Sequence, residues 1–197
     1  LMGDAKFKVI GNIRYNGKPT FNDTTIITTS SGLKVGFLGL TTPETSTKAH
    51  PAKIQGVTFM AKDELYKFAS DEAALLRKDG ADVVIALTHL GVDPESEPNR
   101  STDVYANSKG IDFIIDGHSH TVMTKGENNE PIQSTGTKLE NVGVIIIDNA
   151  TKKIEKNELL KLADYKTEDE TVKAAADAVI KDVDTRLGKV FAKTEVD

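Results

Sequence analysis

Two continuous apolar runs, each preceded by a helical pattern, constrain the fold of this chain more than any other feature. The runs are DVVIALTHLG at 82–91 and DFIIDGHSH at 112–120, and both are typical of buried strands. An amphipathic pattern at 61–81, with Gly80 placed to end it, predicts the first helix, and 101–111 predicts a short second one. Strands and helices that alternate in this way indicate an α/β fold built on a mostly parallel sheet.

The remaining segments predict further strands and one more helix. The predicted strands are 6–15, two strands within 24–41 on either side of Ser31-Gly32, and a β-meander of 131–136, 142–149 and 153–162. An alanine-rich helical pattern covers 167–190, with Thr167 and Glu170 as a capping box. The helix at 101–111 has Ser101 or Thr102 as its expected N-cap.

The composition excludes several kinds of site. The chain has 0 cysteines, so disulfides, thiolate zinc sites and cysteine nucleophiles are excluded, and a metal site must use histidine and oxygen ligands. A net charge of −5 argues against a nucleic-acid polymer as partner. No apolar run approaches the roughly 20 residues of a membrane span. No G-x-S-x-G, Walker A, H-E-x-x-H or G-x-G-x-x-G motif supports a serine hydrolase, P-loop, zincin or dinucleotide site.

Three of the four histidines follow the two buried strands. His89 ends the first, and His118 and His120 follow the second directly after Gly117. Function in open α/β sheets collects at the carboxyl ends of strands. A sharp turn after Gly117 would let both later histidines face one rim, where three imidazoles suit Zn²⁺, Mn²⁺ or Fe²⁺.

Simpler interpretations of these polar residues stay open. A single histidine at a strand end is commonly an ordinary hydrogen-bonded surface residue. Asp112 and Asp116 flank the second strand and either orient a ligating histidine or serve as plain strand-end acids. His50 lies in a polar loop before Pro51, where a structural role is expected.

The ordered set VVIALTHLG, IDFIIDGHSHT and PIQSTGTKLENVGVIIID resembles a known family, as does the earlier GLKVGFLGLTTPET. This family is the 5′-nucleotidase / 2′,3′-cyclic-nucleotide 2′-phosphodiesterase group of calcineurin-like metallophosphoesterases, and the resemblance covers nearly the whole chain. It implies a layered α-β-β-α sandwich with mixed sheets. It also implies two divalent metal ions (Zn, Mn or Fe), with His89 and His118 on one ion and His120 on the other.

The chain departs from the family pattern where other ligands are expected. The family motifs D-x-H and G-N-H-[ED] do not occur, and Gly11-Asn12 is followed by Ile13-Arg14. We therefore interpret GNIR as a strand near the site and expect no catalytic residue in this chain. Residues 1–163 are expected to be the C-terminal part of the catalytic domain, with the N-terminal part absent. Residues 164–197 are expected to form a linker helix toward an absent nucleotide-binding domain.

The resemblance implies a fragment of a metal-dependent phosphohydrolase acting on nucleotides or cyclic nucleotides. We expect the isolated fragment to be inactive, because the ligands of the missing motifs are needed to hold a metal pair. Extracellular, periplasmic or cell-wall-associated localisation follows from the resemblance. Sheet edges exposed by the missing half predict self-association or a rearranged edge. The alternative is a non-catalytic binding or scaffold module that uses the same fold.

Overall fold

The computed structural model describes residues 8–188. The strands are β1 (Ile13–Tyr15), β2 (Lys18–Pro19), β3 (Thr24–Thr28), β4 (Lys34–Thr41), β5 (Val57–Phe59), β6 (Val83–His89), β7 (Phe113–Asp116), β8 (Val122–Met123), β9 (Ile132–Thr135), β10 (Asn141–Ile147) and β11 (Ile154–Lys161). The α-helices are α1 (Thr45–Lys48), α2 (Lys62–Lys78), α3 (Ser101–Asn107) and α4 (Glu170–Leu187). Short 3₁₀ turns occupy Pro51–Lys53, Pro94–Ser96 and Leu162–Asp164.

A six-stranded mixed sheet forms the centre of the fold. Its order is β3-β4-β6-β7-β9-β8, with β4, β6, β7 and β9 parallel and the two edge strands antiparallel. The α/β class with a mixed sheet is therefore confirmed. The parallel strands are apolar on both faces, since Val83, Val84, Ile85 and Ala86 in β6 are all buried. Parallel sheets need this pattern because elements cover both faces.

Helix α2 covers one face of this sheet. Its buried side chains, Leu65, Ala69, Ala73 and Leu76, recur at the spacing of one helical face. They pack into the larger core cluster together with residues of β4, β6 and β7. Burial of each leucine contributes about 1.5–3 kcal/mol. The helix ends where predicted, at Gly80, whose φ of +94° suits a residue without a side chain.

The opposite face of the sheet carries a second core cluster. Val35, Val83, Ile85 and Phe113 are buried there, and isoleucines of the β10–β11 pair pack against them. The pair itself is antiparallel and forms its own two-stranded sheet. Helices therefore cover one face of the central sheet, and a strand pair covers part of the other.

Several predicted elements differ from the structure. The second half of the predicted meander is confirmed, since β10 and β11 pair antiparallel. Its first half is wrong, because β9 joins the central sheet parallel to β7, and among residues 8–188 β10 pairs only with β11. Of the strand predicted at 6–15, only Ile13–Tyr15 forms a regular strand, and residues 6 and 7 lie outside the described range.

Before β1 the chain passes very close to β4. A Cβ on Gly39 would lie 1.8 Å from the Val9 carbonyl oxygen.

Two helix caps also differ. Arg100 is the N-cap of α3, so that Ser101 and Thr102 are already helical, and the Asp103 carboxylate accepts from the Arg100 amide at 3.0 Å. Asp169 caps α4 in place of Thr167, and its carboxylate accepts from the two following amides. Aspartate is as good a cap as threonine or better.

The chain divides into two compact units, Leu1–Leu162 and Ala163–Asp197. In the second unit, α4 is described through Leu187, and the predicted continuation over 189–197 lies outside the described residues. The assignment of 1–163 to part of a catalytic domain, and of 164–197 to a linker helix, stays a prediction. Within residues 8–188, none of the helices is long and apolar enough to span a membrane.

Candidate metal centre

The candidate site lies at the carboxyl edge of the parallel strands. His89 is the last residue of β6 and is paired in register with Thr41, the last residue of β4. Strand β7 ends at Asp116, two residues before His118. Parallel strands end at the same edge of a sheet, and loops there are free of packing constraints. The sheet therefore brings His89 and His118 together although they are far apart in sequence.

The rings of His89 and His118 are in direct contact. Nε2 of His89 lies 3.2 Å from Nδ1 of His118, with ring centroids 4.9 Å apart and planes inclined by 68°. The turn that aims the second ring uses left-handed backbone at the histidines themselves, with φ of +86° at His118 and +55° at His120. The turn expected after Gly117 thus exists, but non-glycine residues adopt the costly conformation. Such strain is typical of functional sites.

His120 is not brought into the same contact. Its side chain is exposed, although it is near enough for its charge to affect His89. Among residues 8–188, the structure arranges no group of three or more histidine, aspartate or glutamate side chains as a metal site. The predicted ligand set of His89, His118 and His120 therefore stays a prediction, with two of its members in contact.

Burial and neighbouring charge keep His89 neutral. Removal from water lowers the pKa of this imidazole below its ordinary value of 6.5, and the adjacent His118 and His120 lower it further, against the opposing effect of Asp116. A neutral imidazole is the form that ligates a metal. His89 is therefore ready to act as a ligand at neutral pH.

The donors at this edge fit part of a site for a divalent cation. Two imidazole nitrogens bound to one tetrahedral zinc ion, at about 2.0–2.1 Å each, lie about 3.3 Å apart. The observed separation of 3.2 Å between Nε2 and Nδ1 agrees with this value, and it is also the length of a hydrogen bond between the two rings. Imidazole also suits the borderline cations that the sequence favoured. Two nitrogens are fewer donors than a complete zinc site needs.

Glu44 is a residue of this edge that the sequence analysis missed. It follows β4, and its Oε2 lies 3.5 Å from Nε2 of His118. It also pairs with Lys48 and accepts a hydrogen bond from the Ser96 hydroxyl. The hydrogen bonds from Lys48 and Ser96 lower the pKa of Glu44 to about 2. The only sequence signal was its position in TTPET, directly after an apolar strand.

Asp116 organises the backbone around His89. The side chain is buried, and its Oδ1 accepts from Thr88 Oγ1 at 2.6 Å and from the amides of Leu90 and Gly91 at 3.1 and 3.3 Å. These bonds tie the end of β7 to the residues on both sides of His89. Asp116 thus fixes the local backbone rather than contacting an imidazole by a hydrogen bond.

The other polar residues that the sequence singled out have structural roles. Asp112 lies at the amino end of β7, where it pairs with Arg77 and accepts from the Val84 amide at 2.6 Å. Its position at the opposite edge excludes a direct role beside the histidines. His50 caps the Pro51–Lys53 turn by accepting from the Ala52 amide at 3.2 Å, as expected for a structural residue.

Asn12 of the GNIR segment lies beside the site without facing it. Its Nδ2 donates to the Thr41 carbonyl at 2.7 Å, and its Oδ1 accepts from the Thr41 amide at 2.8 Å. The side chain is fully buried. Both atoms of the amide are therefore used to hold the end of β4 next to His89, which agrees with a segment close to the site.

An open groove of about 330 Å³ lies beside His89. Its lining includes His89, Thr88, Thr41 and Gly117, with Leu87 and Ile115 among the apolar residues. The groove therefore offers a polar rim at the strand ends and an apolar wall on the sheet.

No protein-family model matches the chain. The chain is 36% identical over 101 residues to the trifunctional nucleotide phosphoesterase protein YfkN of Bacillus subtilis, a match that covers 50% of this chain and 6% of YfkN. It is 33% identical over 105 residues to a 5′-nucleotidase of Vibrio cholerae, covering 49% of this chain and 18% of that protein. The chain thus spans a small part of the curated relatives that it matches.

A solved structure extends this similarity to the fold. The calcineurin-like phosphoesterase YfkN of Bacillus subtilis superposes with a TM-score of 0.74 at 21% identity, over 92% of this chain and 64% of that one. At 21% identity the superposition shows that the two chains share a fold. The evidence for common descent comes from the sequence matches. Over about half of its length, this chain is homologous to the 5′-nucleotidase and calcineurin-like phosphoesterase family.

Proposed function

We propose that this chain supplies part of the metal site of a phosphohydrolase that removes phosphate from nucleotides. The reaction is that of a 5′-nucleotidase or of a 2′,3′-cyclic-nucleotide phosphodiesterase/3′-nucleotidase. One observation carries the proposal: the 3.2 Å approach of His89 Nε2 and His118 Nδ1 at the carboxyl edge of the sheet. The nucleotide phosphoesterases among the relatives supply the substrate class.

The histidines of this chain would hold the cations. His89 and His118 would bind one ion through the facing nitrogens, and His120 would bind a second, with Zn, Mn or Fe as candidates. When bound, two divalent cations activate water and polarise the phosphoryl group by Lewis-acid chemistry. None of the three imidazoles acts as nucleophile in this proposal. The groove beside His89 would receive the ester.

Further ligands are required, because the described residues arrange only two nitrogens for a cation. In the family that this chain resembles, these ligands come from the D-x-H and G-N-H-[ED] motifs, which this sequence does not contain. We therefore expect the 197-residue chain alone to show negligible hydrolysis of 5′-AMP or 2′,3′-cyclic AMP with added Mn²⁺ or Zn²⁺. Activity of this chain that survives His118→Ala would contradict the metal assignment.

The coding sequence upstream of Leu1 provides the decisive experiment. If D-x-H and then G-N-H-[ED] precede it in frame, the longer product should hydrolyse nucleotides. His89→Ala and His118→Ala in that product should reduce hydrolysis to background, and His50→Ala serves as the matched control at the histidine outside the site. If neither motif precedes Leu1, the non-catalytic binding module becomes the better proposal.

Self-association and localisation are further parts of this proposal. Ile27 and Leu87 of the central sheet are 40% and 39% exposed. Exposed apolar surface on a sheet favours association between molecules. We expect sedimentation velocity to detect oligomers of the 197-residue chain at higher concentrations; a strictly monomeric species throughout would contradict this.

Export to the periplasm, cell wall or medium follows from the resemblance, and cell fractionation tests it.

A further inference from the structure

Both ring nitrogens of His118 face a specific side chain. Nδ1 lies 3.2 Å from His89 Nε2, and Nε2 lies 3.5 Å from Oε2 of Glu44. The ring is thus placed between a second imidazole and a carboxylate. A histidine whose two nitrogens point to different partners is held in one orientation, and its tautomer is set by the partner that accepts the proton.

The Glu44 carboxylate is held firmly in this position. Its side chain is 14% exposed, and it is anchored by Lys48 on the next helical turn and by Ser96 on a separate loop. Because Lys48 and Ser96 already restrict the Glu44 side chain, little further conformational entropy is lost when the carboxylate binds the imidazole ring. Lys48 also lies 3.6 Å from Glu95, and among the described residues Glu95 forms no hydrogen bond or ion pair with His118.

A metal-ligating histidine usually donates its other ring N–H to a carboxylate or carbonyl, which fixes the tautomer and the orientation of the ring. We infer that Glu44 is the positioning residue for His118: it accepts the Nε2 proton and leaves the Nδ1 lone pair directed toward His89 and a cation. This inference rests on the proposed function. The 3.5 Å separation is longer than an ordinary N–H···O bond, so the ring must shift slightly toward the carboxylate to complete it.

Zinc titration of the full chain tests the inference. We expect Glu44→Gln to weaken Zn²⁺ binding by about 10–100-fold in isothermal calorimetry, the usual effect of losing such a partner. Glutamine keeps the size of the side chain and an acceptor for Ser96 but removes the charge. Glu95→Gln is the matched control, because it changes the other partner of Lys48 without facing the ring, and its affinity should equal that of the wild type.

The His118→Ala background separates positioning from a structural role. If Glu44 acts through His118, Glu44→Gln should cause no further loss of zinc affinity once the ring is gone. An equal loss in both backgrounds would overturn the inference. An unchanged affinity of Glu44→Gln, where His118→Ala binds weakly, would also overturn it and leave the metal assignment standing. Wild-type affinity in His118→Ala would overturn the metal assignment itself, and the inference with it.

The tautomer of His118 gives a readout that needs neither a metal nor a variant that folds. Ring ¹⁵N correlation spectra of the wild-type chain at pH ~8, where imidazoles are neutral, distinguish the two tautomers. We expect the proton on Nε2. A proton on Nδ1 would overturn the inference, because Nδ1 could then not present a lone pair toward His89.

Discussion

At the scale of single residues, the surroundings of the site depend on a few buried polar side chains. Asn12 satisfies both the amide and the carbonyl of Thr41 and is fully buried. Asp116 is also buried, and its carboxylate accepts from the amides of Leu90 and Gly91, which follow His89. Buried polar groups that are paired cost little, whereas the loss of one partner leaves the other unsatisfied. The contribution of these residues to the free energy of unfolding is therefore measured best by substituting them.

We predict that Asn12→Ala destabilises the chain by about 1–3 kcal/mol for each backbone group of Thr41 left without a partner. Asn12→Asp should also destabilise it, because the carboxylate cannot donate to the Thr41 carbonyl and a charge is buried. Urea unfolding followed by circular dichroism measures both effects. A change below about 0.5 kcal/mol in Asn12→Ala would show that water replaces the amide without cost.

We predict that His89 titrates below the ordinary histidine pKa because of its burial and the adjacent His118. In His118→Ala, the pKa of His89 should rise, and NMR titration of the ring signals measures the change. Because the folded-state pKa is depressed, protonation favours the unfolded chain. The contribution of His89 to stability is therefore complete above the unfolded value of 6.5 and is lost as pH falls toward the folded pKa. An unchanged pKa of His89 in His118→Ala would contradict the contribution of His118 and leave burial, already the largest cause, to explain the shift.

At the scale of elements, α2 combines a well-buried apolar face with one unfavourable carboxylate. Glu72 is partly buried, and removal from water raises its pKa, with the nearby charge of Asp23 acting in the same direction and Arg14 against it. The apolar face positions the helix on the sheet, so the chain tolerates this cost. The helix therefore offers a substitution expected to stabilise the fold.

We predict that Glu72→Gln increases the free energy of unfolding at pH 7 by on the order of 0.5 kcal/mol. Because the folded-state pKa is raised, the ionised carboxylate is unfavourable above that pKa, and stability recovers as pH falls toward the unfolded value of 4.5. The difference between the variant and the wild type should therefore shrink below this pH. Chemical denaturation at pH 7 and at pH 4 gives the comparison; a difference that does not depend on pH would contradict the burial argument.

At the scale of the whole molecule, both hydrophobic core clusters consist of residues that precede Leu162. The described part of the second unit is dominated by α4, which has no buried residue and exposes Val172, Val179 and Ile180. In proteins most of the stability of a helix comes from the packing of its apolar face, and α4 buries no residue. The stability of the first unit therefore comes from its own core.

We predict that deletion of 163–197 changes the midpoint of thermal unfolding by less than about 2 °C. The helical signal in circular dichroism should decrease, because α4 is lost, while the cooperative transition remains. A midpoint lower by more than about 4 °C would correspond to about 1 kcal/mol of stability and would show that the deleted residues support the first unit.

Local sequence patterns determined the type and order of most elements. The alternation of α2, β6, α3 and β7, and the position of His89, follow from apolar periodicity and from stop signals such as Gly80, which are properties of a few neighbouring residues. The α/β class and the placement of three histidines at strand ends were therefore predictable. The caps at Arg100 and Asp169 were missed by one or more positions, because several neighbouring side chains can satisfy the same amides.

The pairing of the elements and the contacts between distant side chains depend on how the chain packs in three dimensions. The place of β9 in the central sheet depends on β7, and no pattern within β9 specifies a partner. The approach of His89 to His118 joins residues 29 positions apart, and that of Glu44 to Ser96 joins residues 52 apart. Local periodicity carries no information about such distances. Local patterns in the sequence therefore predict the elements and the polar residues at their ends, whereas packing between residues far apart in the sequence places His118 between His89 and Glu44.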